Sequence, residues 1–379
     1  MQIESSPIPM TTKSGAFNQD FTTPSLSPSG WRRDKIDDPP EFRVAFTFPG
    51  NPQIRLHALK NSYKLTATER RNPRSQKLDQ MGTRELLKLI NREDKLVPRA
   101  VEREIASIAR AVEAVAKSIE HGGRLIYVGA GTSGRLAALD AAECPPTFGV
   151  SPQIVQSVLA GGQRALTRAA EDVEDSASQG ARDIAARKVR AQDIVVGVTA
   201  SGRTPYVVGA LQYARKRGAA TVLLTSNRNS PAARFADIHI VPQTGPEIIA
   251  GSTRMKAGTA QKLILNMLST AAMVRLGRVY NNWMVDLNMT NEKLRTRGLR
   301  ILEQATGASA ADAKRALSQS GSIRVALVML KTGRCPSEAR RWVQGAGKNL
   351  SRALAVDSAD ARSIGDKTGP RKMRSRKKS

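Results

Sequence analysis

The chain has 379 residues and a formal net charge of +27, with 40% hydrophobic and only 4% aromatic residues. That length admits one large domain with a smaller companion, and the core must be built mainly from Ala, Val, Leu and Ile. No apolar run approaches the roughly 18 residues of a membrane span, and the start lacks a basic-then-apolar secretion layout, so a cytoplasmic protein is expected.

Residues 1–62 contribute +1 and residues 371–379 contribute +6, leaving +20 on the body. A basic body suits an anionic ligand, and it also suits loose nucleic-acid binding. Zinc-finger spacing, a basic region followed by heptads and an aromatic-basic ribonucleoprotein motif are all missing, so nucleic acid is not the expected partner. Arg-rich codon usage is the plain alternative. Cys144 and Cys335 are far apart in sequence, which fits a reduced, intracellular chain.

In chain order, residues 1–62 are rich in Ser, Thr, Pro and Asn and read as a disordered extension, with Phe42–Phe48 as one short strand candidate. An apolar-patterned helix is expected over 79–96. Val101, Ile105, Ile108, Val112, Val115 and Ile119 then mark the core-facing stripe of one amphipathic helix, ended by Gly122-Gly123. Buried-type strands are expected at Leu125–Val128, Ile154–Leu159, Ile194–Thr199, Thr221–Thr225 and Ile238–Val241. Helices are expected at 133–142, 163–170, 176–189, 204–217 and 255–276. This alternation predicts an α/β fold, a parallel sheet flanked by helices on both faces in a flavodoxin-like sandwich. Residues 63–296 would form that domain with its leading helices. Residues 284–296 read as a polar link. Residues 297–354 read as a small helical unit at Leu299–Ala305, Ala310–Ser318, Ile323–Lys331 and Pro336–Leu354. Residues 355–379 form a basic tail expected to be disordered, ending in the charge run Arg371–Ser379.

Three glycine/hydroxyl turns stand beside these elements: Gly129–Arg135 after the first strand, Thr199–Thr204 after the third, and Gly251–Thr259 opening a long helix. Each can turn backbone N–H groups and hydroxyls toward an anion. Each alone is equally an ordinary tight connection, but two on neighbouring strands would face one crevice. Gly129-Ala130-Gly131-Thr132-Ser133-Gly134 satisfies G-x-G-x-x-G, yet no acid ends the next strand and no GK[ST] follows. Hydroxyls within the turn point to a compact sugar phosphate. Glu143 ends the helix after the first turn, where a carboxylate opposes the helix dipole. It reads as functional, or as the partner of one of many arginines. Glu171, Asp172, Glu174 and Asp175 are either chemistry or a cap for the helix at 176–189. His57, His121 and His239 have no metal-ligand spacing, so no metal is expected.

Taken together, YVGAGTSGRLAALDAAECPPTFGV, AGGQRALTRAAEDVEDS, DIVVGVTASGRTPYVVGAL, GSTRMKAGTAQKLILNMLST and MVDLNMTNEKLRTR closely resemble the N-acetylmuramic acid 6-phosphate etherases, from about Thr68 to about Leu354. The related sugar-isomerase (SIS) domain would span roughly Val115–Arg278. The resemblance implies a cytoplasmic homodimeric lyase of cell-wall sugar recycling that uses no metal or redox cofactor. Its two functional glutamates fall on Glu143 and Glu174. One carboxylate must take the C2 proton while another acid protonates the departing lactate oxygen. Glu143 is assigned as that proton donor and Glu174 as the C2 base. Gly131, Thr132, Ser133, Gly134 and Arg135, with Ser201, Gly202, Arg203 and Thr204, would hold the 6-phosphate. Phe148 replaces a family tyrosine. The competing readings are a non-catalytic sugar-phosphate sensor resembling glucokinase regulatory protein, a sugar-phosphate isomerase using His239, and nucleic-acid binding through the tail.

Overall fold

Five short strands make the frame. They are β1 (Leu125–Gly129), β2 (Val155–Leu159), β3 (Ile194–Val198), β4 (Ala220–Leu224) and β5 (Ile238–Ile240), with β1 and β3 buried along their whole length. In this computed structural model, residues 66–170, 172–345, 350, 351 and 354 are described. The sheet order is β2-β1-β3-β4-β5 and every neighbouring pair is parallel. This is the flavodoxin-like order, whose direction of winding reverses between β1 and β3. The expected extension 1–62 with its Phe42–Phe48 strand, the basic tail and His57 all lie outside the described residues.

Alternation along the strands sets the two layers. Leu125, Tyr127, Ile194, Val196 and Val198 face one side, against α3 (Ile105–Glu120), α4 (Gly131–Phe148) and α7 (Lys256–Arg275). Ile126, Val128 and Val195 face the other, against α5 (Ala177–Ala186) and α6 (Pro205–Lys216). α1 (Thr83–Asp94) and α2 (Leu96–Glu102) precede α3. At the amino end of the sheet, Arg124 donates from Nε to Asp193 Oδ1 at 3.1 Å and from Nη2 to Oδ2 at 2.6 Å, tying the entries of β1 and β3.

Four expectations need correction. The single stripe Val101–Ile119 belongs to two helices, α2 and α3. The break at Arg103-Glu104 puts Glu104 Oε2 within 3.0 Å of the Val241 N–H that it accepts. The helix expected over 133–142 runs on to Phe148, with Pro145 and Pro146 inside its last turn. There Gly149, at φ +61°, donates to the Pro145 carbonyl and closes the end. Residues 163–170 are not an α-helix but a 3-10 turn, Gly162–Leu166. Arg135 takes the carbonyls of Ala165 and Arg168, which a helix would need for itself. Residues 284–296 are not simply a polar link, because Val285 and Leu287 are buried in the C-terminal core.

That core joins α8 (Glu292–Thr306), α9 (Ala310–Ser320), α10 (Ile323–Thr332) and α11 (Pro336–Gly345). Asn291, Ser309 and Ser322 accept the first-turn N–H groups of the first three, and Gly307, Gly321 and Gly333 end them in the left-handed region.

Candidate active site

The carboxyl ends of β1 and β3 open into a cleft of about 370 Å³. Its floor is the turn from β1 into α4. Gly134 N–H donates to the Ala130 carbonyl and starts the helix, so the N–H groups of Gly131, Thr132 and Ser133 precede the intrahelical ladder and face outward. The positive end of an 18-residue helix dipole adds to them. Ser201 and Thr204 come in from the β3 turn. That turn is wired internally: Thr199 and Thr204 hydroxyls meet at 2.8 Å, and the Gly202 N–H donates to Thr199 Oγ1 at 3.2 Å.

Of the nine residues expected to hold phosphate, Gly131, Thr132, Ser133, Arg135, Ser201 and Thr204 line the cleft, and Gly134, Gly202 and Arg203 do not. Gly134 is a packing glycine. A Cβ there would lie 2.3 Å from Leu159 Cδ1 and 2.6 Å from the Gly129 carbonyl oxygen. Gly202, at φ +67°, leaves room for Ser230, whose hydroxyl donates to its carbonyl at 2.7 Å. Arg203 points into solvent. The Arg135 guanidinium braces the far wall through its bonds to Ala165 and Arg168, at 2.8 and 3.0 Å.

Glu174 is half-buried in a short 3-10 turn, Asp172–Asp175, and lines the cleft. Its Oε1 stands 2.8 Å from where a Cβ on Gly131 would be. The carboxylate therefore abuts the turn from β1 into α4. The helix after it is capped by Ser176, whose Oγ accepts from Gln179 N–H at 3.1 Å, so this acidic cluster is not the cap. Glu171 lies outside the described residues.

Glu143 is placed elsewhere. It sits twelve residues past Gly131 on α4, about 18 Å along the axis, exposed and outside the cleft. Its neighbour Asp140 faces inward, accepting hydrogen bonds from Tyr127, Asn266 and Ser269. Burial pushes the Asp140 carboxyl above its ordinary value, against those hydrogen bonds.

The third turn contributes differently from the expectation. The N-terminus of α7 is already occupied: Glu247 accepts from the N–H groups of Lys256 and Ala257 at 3.0 and 2.8 Å. Gly251 and Thr253 reach the cleft from the side, beside Glu69. Glu69 is the site residue that pattern reading missed, since nothing in its local sequence marks it. It arrives because the segment Thr66–Ser75 crosses from far away in the chain. Gly251 N–H donates to the Thr68 carbonyl, Asn72 Nδ2 to that of Pro246 and Ser75 Oγ to that of Ile248, at 3.1, 3.3 and 2.7 Å.

Neither described histidine lines the cleft. His239 Nε2 bonds the carbonyls of Ala233 and Ala236, and His121 Nδ1 that of Lys117. Among the described residues, no group of three His, Cys, Asp or Glu side chains could hold a metal, and no helix is long and apolar enough to cross a membrane.

Known proteins are similar to this chain. A family profile described as the SIS domain matches residues 169–271, and one described as the glucokinase regulatory protein N-terminal SIS domain matches 107–215. A solved phosphoheptose isomerase from Francisella tularensis aligns with 51% of this chain and 100% of its own, at 18% identity and a TM-score of 0.42. N-acetylmuramic acid 6-phosphate etherase from Geobacillus thermodenitrificans is 49% identical over 289 residues, 76% of this chain and 98% of its own. That of Symbiobacterium thermophilum is 55% identical over 267 residues, 70% of this chain and 89% of its own. With about half of the aligned residues identical over 89% and 98% of the length of these relatives, the chain belongs to the N-acetylmuramic acid 6-phosphate etherase family.

Proposed function

We propose that the chain cleaves the C3 lactyl ether of N-acetylmuramic acid 6-phosphate, giving N-acetylglucosamine 6-phosphate and D-lactate. The observation that carries this reading is the contact of Glu174 with Gly131, a carboxylate set against an anion cradle in one cleft. The 6-phosphate occupies the N-terminus of α4, and the cradle fixes C2 and C3 relative to Glu174. Once the sugar ring is open, the C1 aldehyde acidifies the C2 hydrogen and Glu174 removes it. A second acid, Glu143, protonates the ether oxygen as lactate departs, and water adds to C3 with the roles reversed.

Glu143 cannot serve the cleft of its own chain from its place on α4, so a homodimer is part of the proposal. Leu139, Ala142, Glu143 and Pro146 share one exposed face at i, i+3, i+4 and i+7, and Leu139 is 53% exposed. A second copy is the occupant that both covers these apolar groups and puts Glu143 to use. The reaction belongs in the cytoplasm, where a charged sugar phosphate is retained and Cys144 and Cys335 stay reduced, both being free thiols.

Incubation with N-acetylmuramic acid 6-phosphate followed by a D-lactate assay tests the reading. Lactate release by the native chain, lost in Glu174→Gln with sugar-phosphate binding kept, is the expected result. Binding without turnover by the native chain would leave a sugar-phosphate sensor instead.

A further inference from the structure

The reaction needs an open ring before any proton leaves C2, and neither Glu143 nor Glu174 is assigned to open it. Among the described residues, the charged side chains lining the cleft are Glu69, Arg135 and Glu174. Arg135 is committed to two backbone carbonyls, and no described histidine reaches the cleft. We infer that Glu69 touches the sugar at C1 and catalyses ring opening, a role that rests on the etherase reaction proposed above.

Placement of Glu69 is built into the fold. Its Oε2 stands 3.2 Å from where a Cβ on Gly251 would be, and Gly251, at φ +79°, also donates its N–H to the Thr68 carbonyl. The backbone angle favours glycine at that position, and the missing Cβ leaves room for the Glu69 carboxylate. The geometry repeats that of Glu174 against Gly131, so two glycine turns each seat one carboxylate in the same cleft. Thr68 is buried, and its hydroxyl meets that of Thr66 at 2.8 Å, which fixes the short turn that carries Glu69.

The chemistry balances on one group. The Glu69 carboxylate takes the proton from the C1 hydroxyl, and the O1 electron pair forms the aldehyde C=O. The C1–O5 bond breaks with its pair passing to O5, and O5 receives the proton from the same carboxyl group. One proton moves from O1 to O5 and the carboxylate is regenerated. The step precedes C2 deprotonation by Glu174 and reverses to close the product ring.

The test uses the full chain with substrate carrying hydrogen or deuterium at C2. In Glu69→Gln, lactate release falls about a hundredfold, KM changes little, and the C2 isotope effect shrinks toward unity because ring opening becomes limiting. A merely structural loss displaces Glu174 and enlarges or preserves that isotope effect. Formate restores part of the rate in Glu69→Ala, where the shortened side chain leaves room for a small carboxylate. Unchanged lactate release in Glu69→Gln, or a fall with the isotope effect intact, overturns the role of Glu69 while leaving the etherase reading standing. No lactate from the native chain overturns both.

Discussion

Lys256 Nζ and Glu93 Oε2 meet at 2.6 Å, and both side chains are only 2% exposed. The pair looks at first like a spare part of the anion site, because Lys256 belongs to the third glycine turn. Its ammonium is instead turned inward, to the carboxylate that also accepts from Asn72 Nδ2 at 2.8 Å. Arg74 Nε reaches the other oxygen of Glu93 at 3.2 Å. One ion pair thus joins α1, α7 and the segment Thr66–Ser75 that carries Glu69 into the cleft.

Removing Lys256 leaves the buried Glu93 carboxylate only Arg74 and Asn72, so Lys256→Met should cost about 3 kcal/mol of unfolding free energy, the low end for a broken buried pair. Replacing both, as Lys256→Met with Glu93→Leu, should recover a good part of it. Urea unfolding of the single and double variants measures the difference. A single variant as stable as the parent would mean that water reaches this pair. Lactate release should fall further in the double variant, where Asn72 loses the Glu93 carboxylate to which it donates.

Acid sensitivity follows from two carboxylates. Burial alone would raise the Glu93 pKa. Hydrogen bonds from Lys256 and Asn72 and the charges of Lys256 and Arg74 outweigh it, and the carboxyl sits below its ordinary value. Burial likewise opposes Asp193, while Arg124 and the Arg190 N–H hold that group down. A depressed native pKa means that the unfolded chain binds more protons in the intervening window. The stabilisation is therefore complete above the unfolded carboxylate values, about 4 to 4.5, and is lost as pH falls through the native ones. The contribution of these two groups to the urea midpoint should be constant from neutrality down to that window and be lost below it, while Asp140, held above its ordinary value by burial, works in the opposite direction. Glu93→Gln and Asp193→Asn should each start lower and show a shallower acid limb; limbs parallel to the parent's would remove these groups as the cause.

Gly131 and Gly134 lie three residues apart in one motif and should fail differently. An Ala Cβ at Gly131 meets the Glu174 carboxylate at 2.8 Å, at φ +52°. Stability should drop by about 1 kcal/mol and kcat for lactate release by about a hundredfold through displacement of the base. At Gly134 the new atom meets the Gly129 backbone and Leu159, so Gly134→Ala should lower the unfolding midpoint first. Thermal melts beside lactate kinetics separate the two. Equal loss of kcat per unit of stability would show that Gly131 serves packing alone.

The sheet was legible because each strand is a short β-branched run closed by a turn, and those runs sit within a residue or two of β1 to β5. Gly131–Ser133 was legible for the same reason: strand, turn and helix are contiguous, so spacing carries the geometry. Glu69 was not, because its position depends on Thr68 meeting Gly251, a pairing between distant segments with no periodic mark. Pro145-Pro146 misled in the opposite direction. The pair reads as a stop, but α4 carries both prolines in its last turn, and Gly149 supplies the closing bond. The real end of α4 moved Glu143 from a helix terminus to an outward face, and with it the question of whose cleft it serves.

That question has a direct answer in mixed dimers. Glu143→Gln and Glu174→Gln chains should each be inactive alone, since each lacks one of the two acids. If a cleft takes Glu174 from one copy and Glu143 from the other, a mixed dimer contains one cleft with both glutamates and one with neither. Random exchange between equal amounts of the two variants should then restore about a quarter of the native activity. Chains that keep both acids for their own cleft would restore none, whatever the mixing time. The apolar neighbours give a second handle. Leu139→Arg puts a charge on the same exposed face as Glu143 and should convert the proposed dimer to monomers with loss of lactate release, while Glu174 and the α4 turn stay as they are. Light scattering beside the lactate assay reads both outcomes, and a fully active Leu139→Arg monomer would return Glu143 to the surface as a solvated carboxylate.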